Sequence, residues 1–260
     1  LSAILLDGSI VHYEVLGRGR PVIFLHGWVG SWKYWISSMQ VASTSYRAYA
    51  MDLWGFGDTA HIEANFALTQ QASLIDRFLI EMGIGKVALV GHGLGGLVAL
   101  CYAINFPGSV DRVMTISCPP TIEGVNQRLQ TSAPGDLVDW LSNRTAESTA
   151  ALADASKANV QAVTASMKGL QADNLYPNFR ILNIPALFVY GETDPAISVP
   201  EESAVTSTLI HQIVLDGSGH FPMLDESVKF NRLLTDFLAL ESGASPSELQ
   251  LKEEWKRRVR

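Results

Sequence analysis

Short apolar runs alternate with longer amphipathic stretches along this chain, and turn residues separate them. "IVHYEVLG" (10–17), "PVIFLHG" (21–27), "YRAYAMD" (46–52), "KVALV" (86–90), "VDRVMTIS" (110–117), "PALFVYG" (185–191) and "HQIVLDG" (211–217) read as strands. "PVIFLHG" is apolar nearly throughout, the pattern of a strand buried on both faces. Between the strands, apolar positions recur at helical spacing. Trp32, Trp35, Ile36 and Met39 share one face, as do Leu74, Ile75, Phe78, Leu79 and Met82 ahead of Gly83. Leu97, Val98, Cys101 and Ile104 predict a helix closed by Pro107, and Phe230, Leu233, Leu234 and Phe237 predict a final one. The alternation predicts βαβ units, and so an α/β fold with a mostly parallel, doubly wound sheet of about eight strands.

Two stretches break the rhythm. Residues 121–183 are rich in Ala, Ser, Thr and Asn and are too long for an ordinary crossover loop. Helical patterns such as "TAALADASKANVQAVTASMKGLQ" predict a small helical cap there. From Ser242 the tail carries a Ser245–Glu248 capping box, Pro246 at the first helical position and a basic end, which predict a helix.

Composition narrows the function. With 47% hydrophobic residues, 260 residues can bury a sizeable core as one domain. A net charge of −7 argues against a polyanion, so no nucleic acid partner is expected. No apolar run reaches the roughly 18 residues that span a bilayer, so no integral membrane association is expected. Cys101 and Cys118 lie in apolar contexts and offer no disulfide framework. The chain opens at Leu1 without a signal-peptide shape, and a cytoplasmic location is expected. His12, His61 and His211 have no partners at metal-ligand spacing, so neither metal nor cofactor is expected.

The chemistry centres on "VALVGHGLGGLVAL" (87–100), a strand, a sharp turn and a helix. Gly91 and Gly95 are small where such a turn crowds its neighbours. Gly93 stands between them, where a nucleophile elbow lifts its reactive side chain above the strand ends. A dinucleotide turn fits poorly. The spacing is met only loosely by Gly91, Gly93 and Gly96, the strand is not the first, and no acidic residue ends a following strand as expected. "HGWVG" (26–30) follows a buried strand and can aim the Trp28 amide at a developing oxyanion, with the Leu94 amide as second donor. Asp194 in "YGETDPAIS" and His220 in "DGSGHFPMLDE" each lie just past a strand. Open α/β sheets gather ligands at the carboxyl ends of their strands, so these loops should converge. A buried Asp fixes an imidazole tautomer, and the imidazole moves the proton.

Together with "MDLWGFGDT" (51–59), these segments resemble the lidded, single-domain α/β-hydrolase family from about Ile10 to Leu240. The resemblance implies an esterase-like or haloperoxidase-like scaffold with Asp194 as acid, His220 as base, and Trp28 and Leu94 as oxyanion donors. It divides the chain into core halves 1–120 and 184–241, a cap 121–183 and a basic tail 242–260. The departure is Gly93, where the family usually carries Ser and sometimes Asp or Cys. Glycine there relieves a backbone strain of roughly 1–3 kcal/mol and is expected to leave a gap beside His220. His26, Gly27, His92, Trp54 and Phe221 are expected at the pocket, joined by Trp140, Met167 and Tyr176 from the cap. Such a pocket suits an uncharged, largely apolar small-molecule substrate. Ser117 and Cys118 end a strand near the site, as substitute nucleophiles or as core. Asp52 is read as ordering its own loop.

Three readings follow. The chain is a serine-esterase-like hydrolase whose nucleophile was replaced. Or it is an enzyme using the His220–Asp194 pair as general base, on water or on a substrate proton, for hydrolysis, elimination or isomerisation. Or it is a non-catalytic ligand-binding protein.

Overall fold

The computed structural model describes residues 2–172, 182–205 and 207–249. Its strands are β1 (Ser2–Leu6), β2 (Ser9–Gly17), β3 (Arg20–Leu25), β4 (Tyr46–Met51), β5 (Val87–His92), β6 (Val110–Ile116), β7 (Ala186–Gly191) and β8 (Ile210–Leu215). They form one eight-stranded sheet in the order β1-β2-β4-β3-β5-β6-β7-β8. β1 and β2 pair antiparallel, and β2 lies antiparallel to β4. From β4 onward every pairing is parallel. All residues of β5 and β7 are buried, as their unbroken apolar character predicts.

The seven strands read from the sequence are all present, and β1 is an addition. Leu6 pairs with Ser9, and the Asp7–Gly8 turn between them has φ of 49° and 77°. Asp-Gly with both φ positive is the two-residue hairpin turn that matches strand twist. That signal stands in the sequence ahead of "IVHYEVLG".

The helices are α1 (Ile36–Ala42), α2 (Leu68–Glu81), α3 (Leu94–Asn105), α4 (Gln127–Thr131), α5 (Pro134–Leu141), α6 (Ala146–Ala151), α7 (Val160–Ala172), α8 (Glu202–Val205), α9 (Pro222–Asp225) and α10 (Ser227–Ala239). α1 packs on α10, and α2 on α3. α2 buries Leu74, Ile75, Phe78 and Leu79, and α10 buries Phe230, Leu233, Leu234 and Phe237, the stripes that periodicity predicts. Ile36 departs from its predicted face and is exposed. Trp32–Trp35 form a 3₁₀ turn, whose three-residue period moves the following residue off the α-helical stripe.

Among the described residues, α4 to α7 lie between β6 and β7. The helical stretch read across 149–171 is divided into separate pieces. α6 ends at Ala151, a 3₁₀ turn occupies Ala155–Lys157, and α7 starts at Val160. The Asn159 side chain accepts from the Gln161 amide at 2.8 Å, and such local capping competes with helix continuation. At the tail, Ser245 caps a 3₁₀ turn, Pro246–Glu248, through the Ser247 amide. The rest of the predicted tail helix, from 250, lies outside the described residues. No helix among the described residues is long and apolar enough to cross a membrane.

Candidate active site

The carboxyl ends of β3, β5, β7 and β8 lead into the turns that carry Trp28, Gly93, Asp194 and His220. Close backbone approach fixes the elbow. A Cβ on Gly91 would stand 2.2 Å from the Gly95 carbonyl oxygen, and one on Gly95 would stand 2.3 Å from that of Leu25. Side chains are therefore barred at both positions. Gly93 itself has φ 48° and ψ −111°, and its amide donates to the Ile116 carbonyl at 2.8 Å. The backbone thus keeps a conformation that strains any residue except glycine.

The acid and histidine turns are stitched together. The Glu192 amide donates to Leu215, and the Thr193 amide and hydroxyl both donate to the Ser218 carbonyl. This brings Asp194 and His220 together across 26 residues of sequence. His220 Nδ1 lies 2.9 Å from Asp194 Oδ2 and 3.1 Å from Oδ1. Oδ1 also accepts from the amides of Ala196 at 2.8 Å and Ile197 at 3.1 Å. Both side chains are buried. Burial alone would raise the Asp194 carboxyl, but the His220 contact and the Ala196 amide outweigh it and hold the group below its ordinary value. The carboxylate therefore stays charged and fixes the proton on Nδ1, which leaves Nε2 able to take a proton.

Trp28 is buried, and its indole N–H donates to Ser166 Oγ on α7 at 2.8 Å. Its ring carbons Cε3 and Cζ3 stand 3.1 Å from where a Cβ on Gly93 would lie. The gap expected beside His220 is therefore bounded by an indole edge, because Ser166 anchors the far side of that ring. Neither the Trp28 nor the Leu94 amide has an acceptor among the described residues. Leu94 is the first residue of α3, where amide groups lack partners within the helix.

The other sequence-read residues fall in different places. Phe221 packs edge-on against Tyr34 and His220. Met167 is buried on α7. The main chain of Trp54 is held at both ends by the Gln71 amide group. Trp140 stacks under the Arg128 guanidinium and lines a groove of about 300 Å³ with Thr193, Gly219 and Asp225. Tyr176 lies outside the described residues. Ser117 is buried with φ 42°, and its hydroxyl, near the Asp194 carboxylate, helps to hold that carboxyl down. Cys118 is buried, which pushes its thiol far above the range of a thiolate nucleophile.

The fold also brings His12, Asp52 and Asp58 together, with ligand atoms within 4.8 Å of one another. Sequence spacing hid this cluster, which forms because β2 lies beside β4. Its members are already engaged. Asp52 accepts from His12 Nδ1 at 2.8 Å and from the amides of Trp32 and Asp58, and Asp58 pairs with Lys157. Protein donors thus satisfy the carboxylate, and Asp52 orders its loop as read from the sequence.

Residues 22–233 match the Alpha/beta hydrolase family. The chain belongs to that family. Among its relatives is a soluble epoxide hydrolase from Corynebacterium sp., 29% identical over 116 residues. The match spans 45% of this chain and 41% of that protein, less than half the length of either. A pimeloyl-[acyl-carrier protein] methyl ester esterase from Vibrio campbellii is 22% identical over 255 residues, covering 88% of this chain and 98% of that one. Among solved structures, a serine-to-glycine mutant of the N-acyl homoserine lactonase AidH, complexed with N-hexanoyl homoserine lactone, superposes with a TM-score of 0.79. It is 16% identical and covers 91% of this chain and 96% of that chain.

Within this hydrolase-family fold, His26 and His92, both expected at the pocket, are buried and hydrogen-bonded to protein atoms. His26 donates from Nδ1 to the Gly27 carbonyl at 2.8 Å and accepts from the Leu53 amide at Nε2 at 3.0 Å. Burial lowers its pKa and keeps the ring neutral. His92 has both ring nitrogens engaged by protein atoms. Tyr34, which links to His92, carried no signal beyond its place in an aromatic-rich helical run.

Proposed function

We propose that this chain is an ester-hydrolase scaffold for an uncharged, largely apolar ester or lactone. In this reading His220 is the base and Asp194 its orienting acid. The Trp28 and Leu94 amides are the oxyanion donors, and Gly93 occupies the nucleophile position. The observation that carries it is an assembled His220–Asp194 pair beside a turn that keeps elbow torsions at Gly93. An imidazole backed by a buried carboxylate can take a proton from a hydroxyl or a water, and backbone amides can stabilise an oxyanion whatever side chain stands at 93. Residues 121–183 act as a cap. Ser166, Asn159 and Lys157 tie that segment to Trp28, Gly55 and Asp58. The ester and lactone chemistry named for the Vibrio esterase and for AidH supports the substrate class. That a serine-to-glycine mutant in this fold is found complexed with an acyl lactone supports retention of ligand by a glycine-bearing chain.

Restoring the nucleophile is the test. The Gly93→Ser variant, assayed with short and medium p-nitrophenyl esters, should gain turnover with a burst of p-nitrophenol. A folded variant with no gain overturns the reading. A second reading draws support from the indole edge, which leaves a Cβ at 93 little room and so suits glycine. There the pair acts as general base without a covalent step. It requires residual activity of the Gly93 protein that His220→Ala abolishes.

A further inference from the structure

Four buried groups form an unbroken chain of hydrogen bonds beneath the site. The Gly27 amide donates to the Tyr34 hydroxyl, which lies 3.0 Å from His92 Nδ1. His92 Nε2 lies 2.9 Å from the His220 carbonyl oxygen, 128 residues away. The polarity of this chain is fixed by elementary chemistry. A carbonyl only accepts, so Nε2 of His92 carries the proton. A neutral imidazole then has a bare Nδ1, which must accept from the Tyr34 O–H. That hydroxyl has its lone pair left for the Gly27 N–H. Every donor and acceptor is used once.

The chain joins three turns that lie far apart in sequence. Gly27 precedes Trp28, His92 precedes Gly93, and the His220 peptide carries the catalytic ring. Packing reinforces the joint. A Cβ on Gly27 would meet His92 Nδ1 at 2.6 Å. The His92 and His220 rings meet edge to face with centroids 4.7 Å apart.

We propose that His92, held as the neutral Nε2–H tautomer by Tyr34, is a positioning residue that sets the backbone of the His220 turn relative to the elbow and the oxyanion turn. Burial, with the neighbouring His220, keeps the His92 pKa well below its ordinary value, and burial keeps the Tyr34 phenol protonated. Neither titratable member of the chain, His92 or Tyr34, changes protonation through the range in which an exposed histidine titrates. His220 therefore exchanges its proton on a frame that does not titrate with it. The tautomer stands on the geometry alone, whereas the effect on turnover rests on the function proposed above.

Long-range ¹H–¹⁵N spectra of the ¹⁵N-labelled wild-type protein test the tautomer. His92 should show the Nε2–H pattern, unchanged between about pH 5 and 8. A His92 that titrates in this range, or carries its proton on Nδ1, overturns the proposal whether or not Gly93→Ser hydrolyses esters. The positioning role is tested with Tyr34→Phe, which removes one oxygen and leaves the ring packing. The His220 Nδ1–H resonance should shift or broaden in Tyr34→Phe, and not in His12→Asn, which disturbs a buried imidazole elsewhere. In the Gly93→Ser background, Tyr34→Phe should lower kcat by roughly 100-fold, as displaced catalytic geometry does, with little change in KM. An unmoved His220 resonance overturns the role. Should Tyr34→Phe fail to fold, the wild-type tautomer still decides.

Discussion

Among the described residues, two buried imidazoles meet a carboxylate through Nδ1 at hydrogen-bonding distance, and their local geometry is nearly the same. His220 Nδ1 meets Asp194 at 2.9 Å, and His12 Nδ1 meets Asp52 at 2.8 Å. Each carboxylate also accepts from two backbone amides, those of Ala196 and Ile197 in one case and of Trp32 and Asp58 in the other. Their placement differs. His220 sits in a turn past the carboxyl end of β8, beside the elbow. His12 sits inside β2, paired to Ala3 on one side, with Nε2 3.5 Å from Glu14. One imidazole faces the edge where α/β sheets gather ligands, and the other is clamped into the sheet. Pair geometry alone therefore does not tell the two apart. In the function proposed above, the strand-end address of His220 does.

If this is right, equivalent changes at the two pairs should have opposite signatures. The largest contrast is in turnover. In the Gly93→Ser background, His220→Ala should lower kcat for p-nitrophenyl esters by about 10⁶-fold, the scale seen in the subtilisin example. His12→Asn should leave turnover of the folded protein unchanged. Asp194→Asn should cost roughly 10⁴-fold, because the amide no longer enforces the tautomer. Asp52→Ala should act instead on stability. It leaves two amides unpaired and His12 without its counter-charge, a loss of about 3–5 kcal/mol in urea melts.

The smallest effects are in pH dependence. Burial would lower the His12 pKa, but the Asp52 contact raises it above 6.5. A raised folded pKa stabilises the fold below the unfolded value, and this contribution fades as pH rises through the folded pKa. The stability deficit of His12→Asn should therefore be widest below about pH 6.5 and narrow at higher pH. For Asp194, depressed below 3.8, the sign reverses. Its contribution is present above that value and lost as acid brings the pH down through the folded pKa. A deficit in His12→Asn that grows with alkali would contradict the assignment.

The sequence reached unevenly into this structure. The parallel strands were legible because burial on both faces leaves unbroken apolar runs. Asp194 was legible because it follows such a run, and His220 because it lies in a Gly-containing turn just past the mixed edge strand β8. His12–Asp52 was not, because 40 residues separate the partners and only the β2–β4 pairing joins them. The hydrogen-bond partners of His26 and His92 were hidden for the same reason. Their roles are set by atoms of Leu53, Tyr34 and His220, not by neighbours in sequence. The sequence pointed to the Trp28 amide but not to what anchors its side chain. The side chain proved equally informative, since Ser166 holds the indole against Gly93 from 138 residues away.

The central claim is that a working base overlooks residue 93, and covalent trapping tests it most directly. Gly93→Ser protein treated with diethyl p-nitrophenyl phosphate should gain one diethylphosphoryl group, located by peptide mass spectrometry on the introduced serine. The Gly93→Ser/His220→Ala protein should gain none. A folded Gly93→Ser protein that stays unlabelled, or that labels equally well without His220, would contradict the account.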